Sequence, residues 1–176
     1  GRPVRLQWMR DDEHRWEPYG PAMVIQVRGE VDNNGRIAHW NYVVASPTHS
    51  CRPGGAVRLL AAQHIEPPLA PSLLEGLTQW GGGGRFNAEP YYEVPAQVDV
   101  KLVRKATLRS SALRSLGAFA NIFAIEGFMD DLAHAAGKDP LAFRLDHLSD
   151  PRARAVIEIT ASKFGWSKHQ TGTKLG

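Results

Sequence analysis

From Ala118 to Ala136 the chain reads as a helix that is apolar on nearly every side as far as Met129, through Phe119, Ile122, Phe123, Ile125 and Phe128. A surface helix keeps one polar face, whereas a helix apolar all round is normally buried within a larger protein. This segment therefore demands covering structure on several sides. Gly137 stands where a helix ends on a left-handed residue. Asp139-Pro140 and Asp150-Pro151 each set an N-cap before a proline at the first helical position. The spacing predicts a short helix to about Leu148 and another ending near Phe164-Gly165.

The first half has the other period. Val4, Leu6 and Trp8 alternate with Arg5 and Gln7, the pattern of a half-buried strand. Met23, Ile25 and Val27 share a face, and Asp32-Asn33-Asn34-Gly35 supplies turn chemistry. Ile37 to Val44 returns with Ala38, Trp40, Tyr42 and Val44 on one side, so residues 22–44 are expected as a long hairpin. Residues 45–97 hold Pro67-Pro68, Pro71 and Gly81 to Gly84, with room for a short helix around Pro71–Leu77. Loops this long are uncommon in isolated domains and usually wrap over other structure or line a site. Val98, Val100 and Leu102 alternate as a further strand. The expected fold is α+β: N-terminal antiparallel strands including a long hairpin (1–44), an irregular middle (45–97), then a strand and C-terminal helices (98–176). No internal repeat or clean boundary divides it, and 1–176 reads as a single fragment. Both ends read as cut, since residue 1 enters a strand almost directly and Gly172-Thr173-Lys174-Leu175-Gly176 carries no sign of a tail.

Composition excludes several classes. The 176 residues, 43% hydrophobic and 22% charged, suit one ordinary globular domain. No run of about 18 apolar residues occurs, so no membrane span is expected. Gly1-Arg2-Pro3-Val4-Arg5 lacks the Met and apolar stretch of a targeting segment, so none is expected here. A soluble protein of a bacterial cytoplasm or periplasm is the expectation, with the compartment unknown. Cys51 is the lone cysteine, which excludes an internal disulfide or a cysteine-based cluster within the chain. The net charge of +3 admits a nucleic-acid binder. However, the cations are interleaved with acids, the densest group being Lys101, Arg104, Lys105, Arg109 and Arg114, and this reading ranks last.

Few residues carry chemistry on their own. Asp11-Asp12-Glu13-His14 reads as a solvated strand-end cluster rather than a metal site. His39, His49 and His64 lack paired-ligand spacing, and all seven histidines are read as structural or exposed. Gly81 to Gly84 is followed by no Lys-Ser/Thr, so it is not a P-loop and reads as a flexible loop. Arg114 is the informative position. It lies just ahead of the apolar helix, where unpaired N–H groups favour an anion and an arginine adds to the effect. The plain alternative is an ion pair with Asp130 or Glu126. Glu126 itself sits in an apolar helix and needs a partner, expected from Arg114, Arg144 or a backbone group.

Three blocks then agree in order and spacing: Arg114-Ser115-Leu116-Gly117, Glu126-Gly127-Phe128-Met129-Asp130-Asp131-Leu132-Ala133, and Gly137-Lys138-Asp139-Pro140-Leu141-Ala142-Phe143-Arg144 through to Leu148. Together they resemble the molybdenum-cofactor-binding large subunit of the xanthine dehydrogenase/aldehyde oxidase family. Arg2 to His14 resembles the strand that follows the family's Gly-Gly-Phe-Gly loop. Asn87 to Pro95, with Tyr91-Tyr92-Glu93-Val94-Pro95, resembles the approach to the arginine loop. The likeness thus covers nearly the whole chain and is greatest to bacterial members acting on nicotinate, isoquinoline or aldehydes.

The resemblance implies specific roles. Arg114 would bring its backbone N–H to the molybdenum oxygens, and Ser115 beside it would help bind the cofactor. Leu113 and Leu116 would flank the substrate where purine-oxidising members carry aromatics. Leucines cannot stack on a purine, and Gly83 stands near where a second substrate arginine belongs, so both argue against xanthine itself. The implied reaction hydroxylates an N-heteroaromatic or aldehyde carbon with water-derived oxygen, chemistry that belongs to the cofactor. The implied cofactor is molybdopterin with molybdenum, in the cytosine dinucleotide form. Iron–sulfur clusters would lie on a partner subunit or domain, and the rest of the large subunit would complete the site. The base glutamate would lie beyond residue 176, so no glutamate here takes that role, and the piece alone would be inactive. The rival reading is a non-catalytic α+β binding or interaction module derived from the same fold.

Overall fold

The computed structural model describes residues 1–17, 19–49, 64, 66–67, 82–103, 110 and 112–168. Its elements are α1 (Arg10–Trp16), β1 (Val24–Val31), β2 (Ile37–Ser46), β3 (Ala96–Leu102), α2 (Ala118–Ala135), α3 (Pro140–Asp146) and α4 (Pro151–Phe164), followed by a 3-10 turn at Trp166–Lys168. The architecture is α+β, as the periodicities require. The expected helix at Pro71–Leu77 lies outside the described residues, as do Cys51, Gly81, Arg104, Lys105 and Arg109.

The hairpin forms where turn chemistry meets alternation. The Asp32 carboxylate accepts from the amides of Asn34 at 2.8 Å and Arg36 at 2.9 Å, while Gly35 adopts φ +67°. An aspartate that bonds its own downstream backbone builds such a turn locally. The same amide bonds hold the Asp32 carboxyl below its usual range, the Arg36 amide contributing most. β1 alternates exposed and half-buried residues along its length. β2 is the middle strand of the three-stranded sheet β1-β2-β3. With both edges paired it carries the most buried side chains, Trp40, Tyr42 and Val44. Ala38, expected on that side, is exposed, and Ile37 is buried instead.

The first expected strand is not formed. Val4 and Leu6 are 91% and 83% exposed, and no strand includes them. Alternation makes a strand only when a second strand pairs with it, and none does so among the described residues. The acidic run next to it starts helix α1 instead. Asp11, Asp12 and Glu13 occupy its first turn, where negative charge suits the helix dipole, and Asp12 accepts from the Met9 amide at 3.1 Å.

The three C-terminal helices start and stop where the caps dictate. Asp139 accepts from the Ala142 amide and Asp150 from the Arg152 amide, each with proline at the helix start. Gly137 and Gly165 take φ +63° and +78° beyond α2 and α4. The Lys138 amide reaches back to Ala133 O at 2.9 Å, closing α2 as a Schellman motif does.

The chain divides into two compact units, each discontinuous in sequence: Gly1–Val24, Val44–Phe86 and Val100–Phe119 form one, and Ile25–Val43, Asn87–Asp99 and Ala120–Gly176 the other. The second unit holds most of the core: Trp40, Tyr42, Ile125, Met129, Ala133 and Phe143 are all at 1% exposure or less. Among the described residues its buried polar side chains are matched but for Trp40 Nε1, which has no hydrogen-bond partner. Tyr42 donates to Asn121 Oδ1 at 2.8 Å. The Ile37 amide donates to His147 Nε2 at 3.0 Å, so His147 carries its proton on Nδ1 and donates it to Phe143 O at 2.8 Å. Buried groups left unpaired would each cost about 1–3 kcal/mol. α2 is not apolar-buried all round as expected. Ile125, Met129 and Leu132 are covered, while Phe119 and Phe123 are 78% and 80% exposed.

Candidate functional site

The candidate site is built within the first unit, from the end of β2 outward. Ser46 and His49 are both buried, and Ser46 Oγ lies 2.8 Å from His49 Nε2. Burial lowers the His49 pKa from its ordinary value. The His49 amide donates to Gly82 O at 2.6 Å. Gly82 and Gly83 take φ +62° and +91°, a region open to glycine and strained for other residues. A Cβ at Gly82 would stand 2.9 Å from Thr48 Cβ, and one at Gly83 3.0 Å from His49 Cβ. Glycine is needed here because the turn lies directly against Thr48 and His49.

The Arg114 loop rests on that turn. Gly83 O accepts from the Phe86 amide at 3.3 Å and from the Gly117 amide at 3.2 Å. The loop closes on itself through Leu116 N to Leu113 O at 3.1 Å and Ala118 N to Ser115 O at 2.9 Å. Ser115 and Leu116 take φ +75° and +52°. Positive φ costs a non-glycine residue about 1–3 kcal/mol and gathers at ligand clamps and active sites. The strain falls beside two amides that make no hydrogen bond among the described residues. The amides of Leu116, Gly117 and Ala118 are bonded, but those of Arg114 and Ser115 meet no acceptor among the described residues.

The sequence-derived site residues therefore fall together on one exposed turn. Leu113, Arg114 and Ser115 are exposed and Leu116 is half-buried. Leu113 Cδ1 also packs close to Gly20, 2.7 Å from where a Cβ there would stand. The polar side chains of the turn are a guanidinium and the Ser115 hydroxyl, beside two amides with no acceptor among the described residues, and no carboxylate occurs from Ala112 to Gly117. That set suits an oxyanion, an oxo ligand or a phosphate. The glycines behind it let the loop pack closely: a Cβ at Gly82, Gly83 or Gly117 would stand 3.0 Å or less from a neighbouring atom. The residues present thus fit a molybdopterin group.

Within the second unit, Glu126 and Asp130 are both bonded by Arg144. Arg144 Nε donates to Glu126 Oε2 at 2.9 Å and its Nη1 to Asp130 Oδ1 at 2.6 Å. Its Nη2 also donates to Glu126 O at 2.9 Å, and Tyr92 donates to Glu126 Oε1 at 3.0 Å. Burial, with the Glu126 charge adding, pushes the Tyr92 pKa far above its ordinary value. Sequence reasoning allowed Arg144 as a partner of Glu126 but missed Tyr92 and the bridge to Asp130. The signal was there in two acids four apart on one helix, which need a cation between them.

The remaining candidates are placed plainly. Asp11, Asp12 and Glu13 line the first turn of α1, and no group of three metal-binding side chains occurs among the described residues. His39 and His64 are exposed, while His49 and His147 are buried and hydrogen-bonded. Among the described residues no helix is long and apolar enough to cross a membrane. Lys101 is exposed on β3.

Known proteins resemble this chain over most of its length. A family model described as the molybdopterin cofactor-binding domain matches residues 76–148, a span that takes in Gly82–Gly84, β3, the Arg114 loop, α2 and α3. A nicotinate dehydrogenase subunit of Pseudomonas putida is 34% identical over 168 residues, 96% of this chain and 13% of its own length. The beta subunit of an isoquinoline 1-oxidoreductase from Brevundimonas diminuta is 25% identical over 96% of this chain and 20% of its own. A protein of Gluconacetobacter polyoxogenes named membrane-bound aldehyde dehydrogenase (pyrroloquinoline-quinone) is 26% identical over 96% of this chain and 22% of its own. The chain thus spans at most 22% of the length of these relatives. The three sequence blocks and the matched segment converge, and residues 76–148 of the chain belong to the molybdopterin cofactor-binding domain family.

Proposed function

We propose that this chain is part of the large subunit of a molybdenum-dependent oxidoreductase that hydroxylates a carbon of an N-heteroaromatic ring or an aldehyde with oxygen derived from water. The observation that carries this reading is the pair of amides at Arg114 and Ser115, without an acceptor among the described residues, in a strained turn that rests on Gly83. The bound cofactor, in our reading the cytosine dinucleotide form of molybdopterin with molybdenum, supplies the redox chemistry. Arg114 offers its main-chain N–H to an oxygen of that group, and Ser115 offers a second N–H and a hydroxyl. Donors that are fixed before binding need no reorganisation when charge develops nearby.

Leu113 and Leu116 form the apolar approach on either side of Arg114. Their side chains cover a flat ring or an alkyl chain by contact, without the stacking that would favour a purine. At Gly83 no side chain reaches toward substrate, so the turn adds no charge that would select an acidic or oxygen-rich ring. No glutamate of this chain is given the role of base, which we place in another part of the full subunit. Partner chains carrying iron–sulfur clusters would accept the electrons, in a bacterial cytoplasm or periplasm. That two relatives are named for nicotinate and isoquinoline, and a third for aldehydes, supports a heteroaromatic or aldehyde substrate.

The test is direct. The full-length subunit, purified with its partners, is expected to contain molybdenum and a cytosine-dinucleotide pterin. It should turn over nicotinate-like or isoquinoline-like rings or aldehydes in preference to xanthine. Incubation in ¹⁸O-water should label the product. A preparation rich in partner subunits but free of molybdenum and pterin would refute the reading.

A further inference from the structure

We infer that Gly117 is a positioning residue: the main-chain contact it permits with Gly83 and Gly84 sets where the Arg114 and Ser115 amides stand, and so how they meet an oxygen of the cofactor. This rests on the cofactor reading above and goes beyond it by naming what holds the loop in register. Gly117 is buried. A Cβ on it would lie 2.6 Å from Gly84 O and 2.7 Å from Gly83 O, well inside the roughly 3.3–3.6 Å at which carbon meets a carbonyl oxygen. Both obstacles are backbone atoms, so neither can swing aside as a side chain would.

The far side of the turn is equally closed. Gly82 and Gly83 press on Thr48 and His49, and His49 is tied to Gly82 O and to Ser46. A methyl group at Gly117 therefore cannot push the glycine turn back, and the Arg114 loop must yield. The φ of Gly117 is not in the left-handed region, so alanine there adds displacement without adding dihedral strain. The expected shift is a sizeable fraction of an ångström at a loop whose use depends on placement. Misplacement on the order of 1 Å can lower turnover by about 100-fold.

Gly127 provides the matched control. It lies on helix α2, which the Arg114 loop leads into, and a Cβ there meets nothing within 4 Å. Gly117→Ala and Gly127→Ala would be made in the full-length subunit assembled with its partners. Metal and pterin content, melting temperature, hydrogen exchange of the 112–118 peptide, the Mo(V) resonance spectrum and steady-state kinetics would then be compared. Gly127→Ala should match wild type in turnover and spectrum. Gly117→Ala should load molybdenum and melt like Gly127→Ala. It should show altered exchange across Arg114–Ser115, a changed Mo(V) spectrum, and a kcat about 10- to 100-fold lower with little change in KM.

A loaded Gly117→Ala enzyme with wild-type kcat and spectrum would overturn the proposal. So would a Gly117→Ala protein that fails to fold or to load while Gly127→Ala does both, because the contact would then serve the fold and not the placement of the amides. Absence of molybdenum and pterin from wild type would remove the cofactor reading and this inference with it, and metal analysis of wild type alone recognises that case.

Discussion

Ser46 Oγ donates to Pro47 O at 2.9 Å, so its lone pairs are left to receive a proton from His49 Nε2, 2.8 Å away. The buried ring is therefore neutral with Nε2 protonated, and burial lowers its pKa from the ordinary histidine value. A histidine whose folded pKa is depressed binds fewer protons folded than unfolded. Its contribution is intact above the unfolded pKa of about 6.5. It is lost as pH falls from there toward the lower folded pKa, at no more than about 1.4 kcal/mol per pH unit. His49→Gln keeps an N–H for Ser46 and cannot titrate. Urea unfolding between pH 7 and pH 5 should thus show a flatter acid limb in the variant than in wild type. Parallel limbs would mean that His49 does not carry the linkage. That His49 is structural could be read from its unpaired spacing. That it braces the Gly82 turn could not, because 33 positions of chain separate the two residues and no periodicity records such a contact.

At the scale of the element, the capped helices were the most legible features. An N-cap acts through its own neighbours, so Asp139 and Asp150 announce α3 and α4 with no knowledge of the rest. The Arg144 clamp is the opposite case. It joins α3 to two turns of α2 and to Tyr92, and only the folded chain brings those together. Arg144 has four bonds to make in a fixed fork, which a lysine ammonium cannot reproduce. Arg144→Lys is expected to lower unfolding stability by about 1–2 kcal/mol, a figure kept small because Glu126 and Asp130 are half exposed. Urea denaturation at neutral pH measures it, and a loss below a few tenths would show the clamp to be ornamental. The Val4–Trp8 alternation failed for the same reason the caps succeeded. A strand has no local partner, so its pattern states a condition for pairing and not the pairing itself.

On the scale of the whole molecule, the exposed aromatics of α2 stand out. Phe119 and Phe123 project one turn apart from the same helix, and an apolar patch of this kind marks a surface that meets other protein. In our reading the rest of the large subunit covers these rings. A Phe119→Ser/Phe123→Ser double variant of the full-length subunit should therefore melt below wild type, since burying a Phe side chain stabilises by about 1.5–3 kcal/mol. An unchanged melting temperature would dismiss the patch as a covered surface. The apolar helix reads as one that needs cover, yet nothing in its residues says which face this chain leaves open.

The sequence by itself determined the α+β class, the hairpin turn at Asp32–Gly35, the helix boundaries and the motif around Arg114, because each depends on residues within a few positions of one another. Only the tertiary structure decided that Gly83 and Gly84 back the Arg114 loop, that Glu126 belongs to Arg144, and that two amides of the loop find no acceptor among the described residues. Those outcomes depend on which distant backbones can approach within hydrogen-bonding distance. That is a matter of the space left by missing side chains, which no local pattern records.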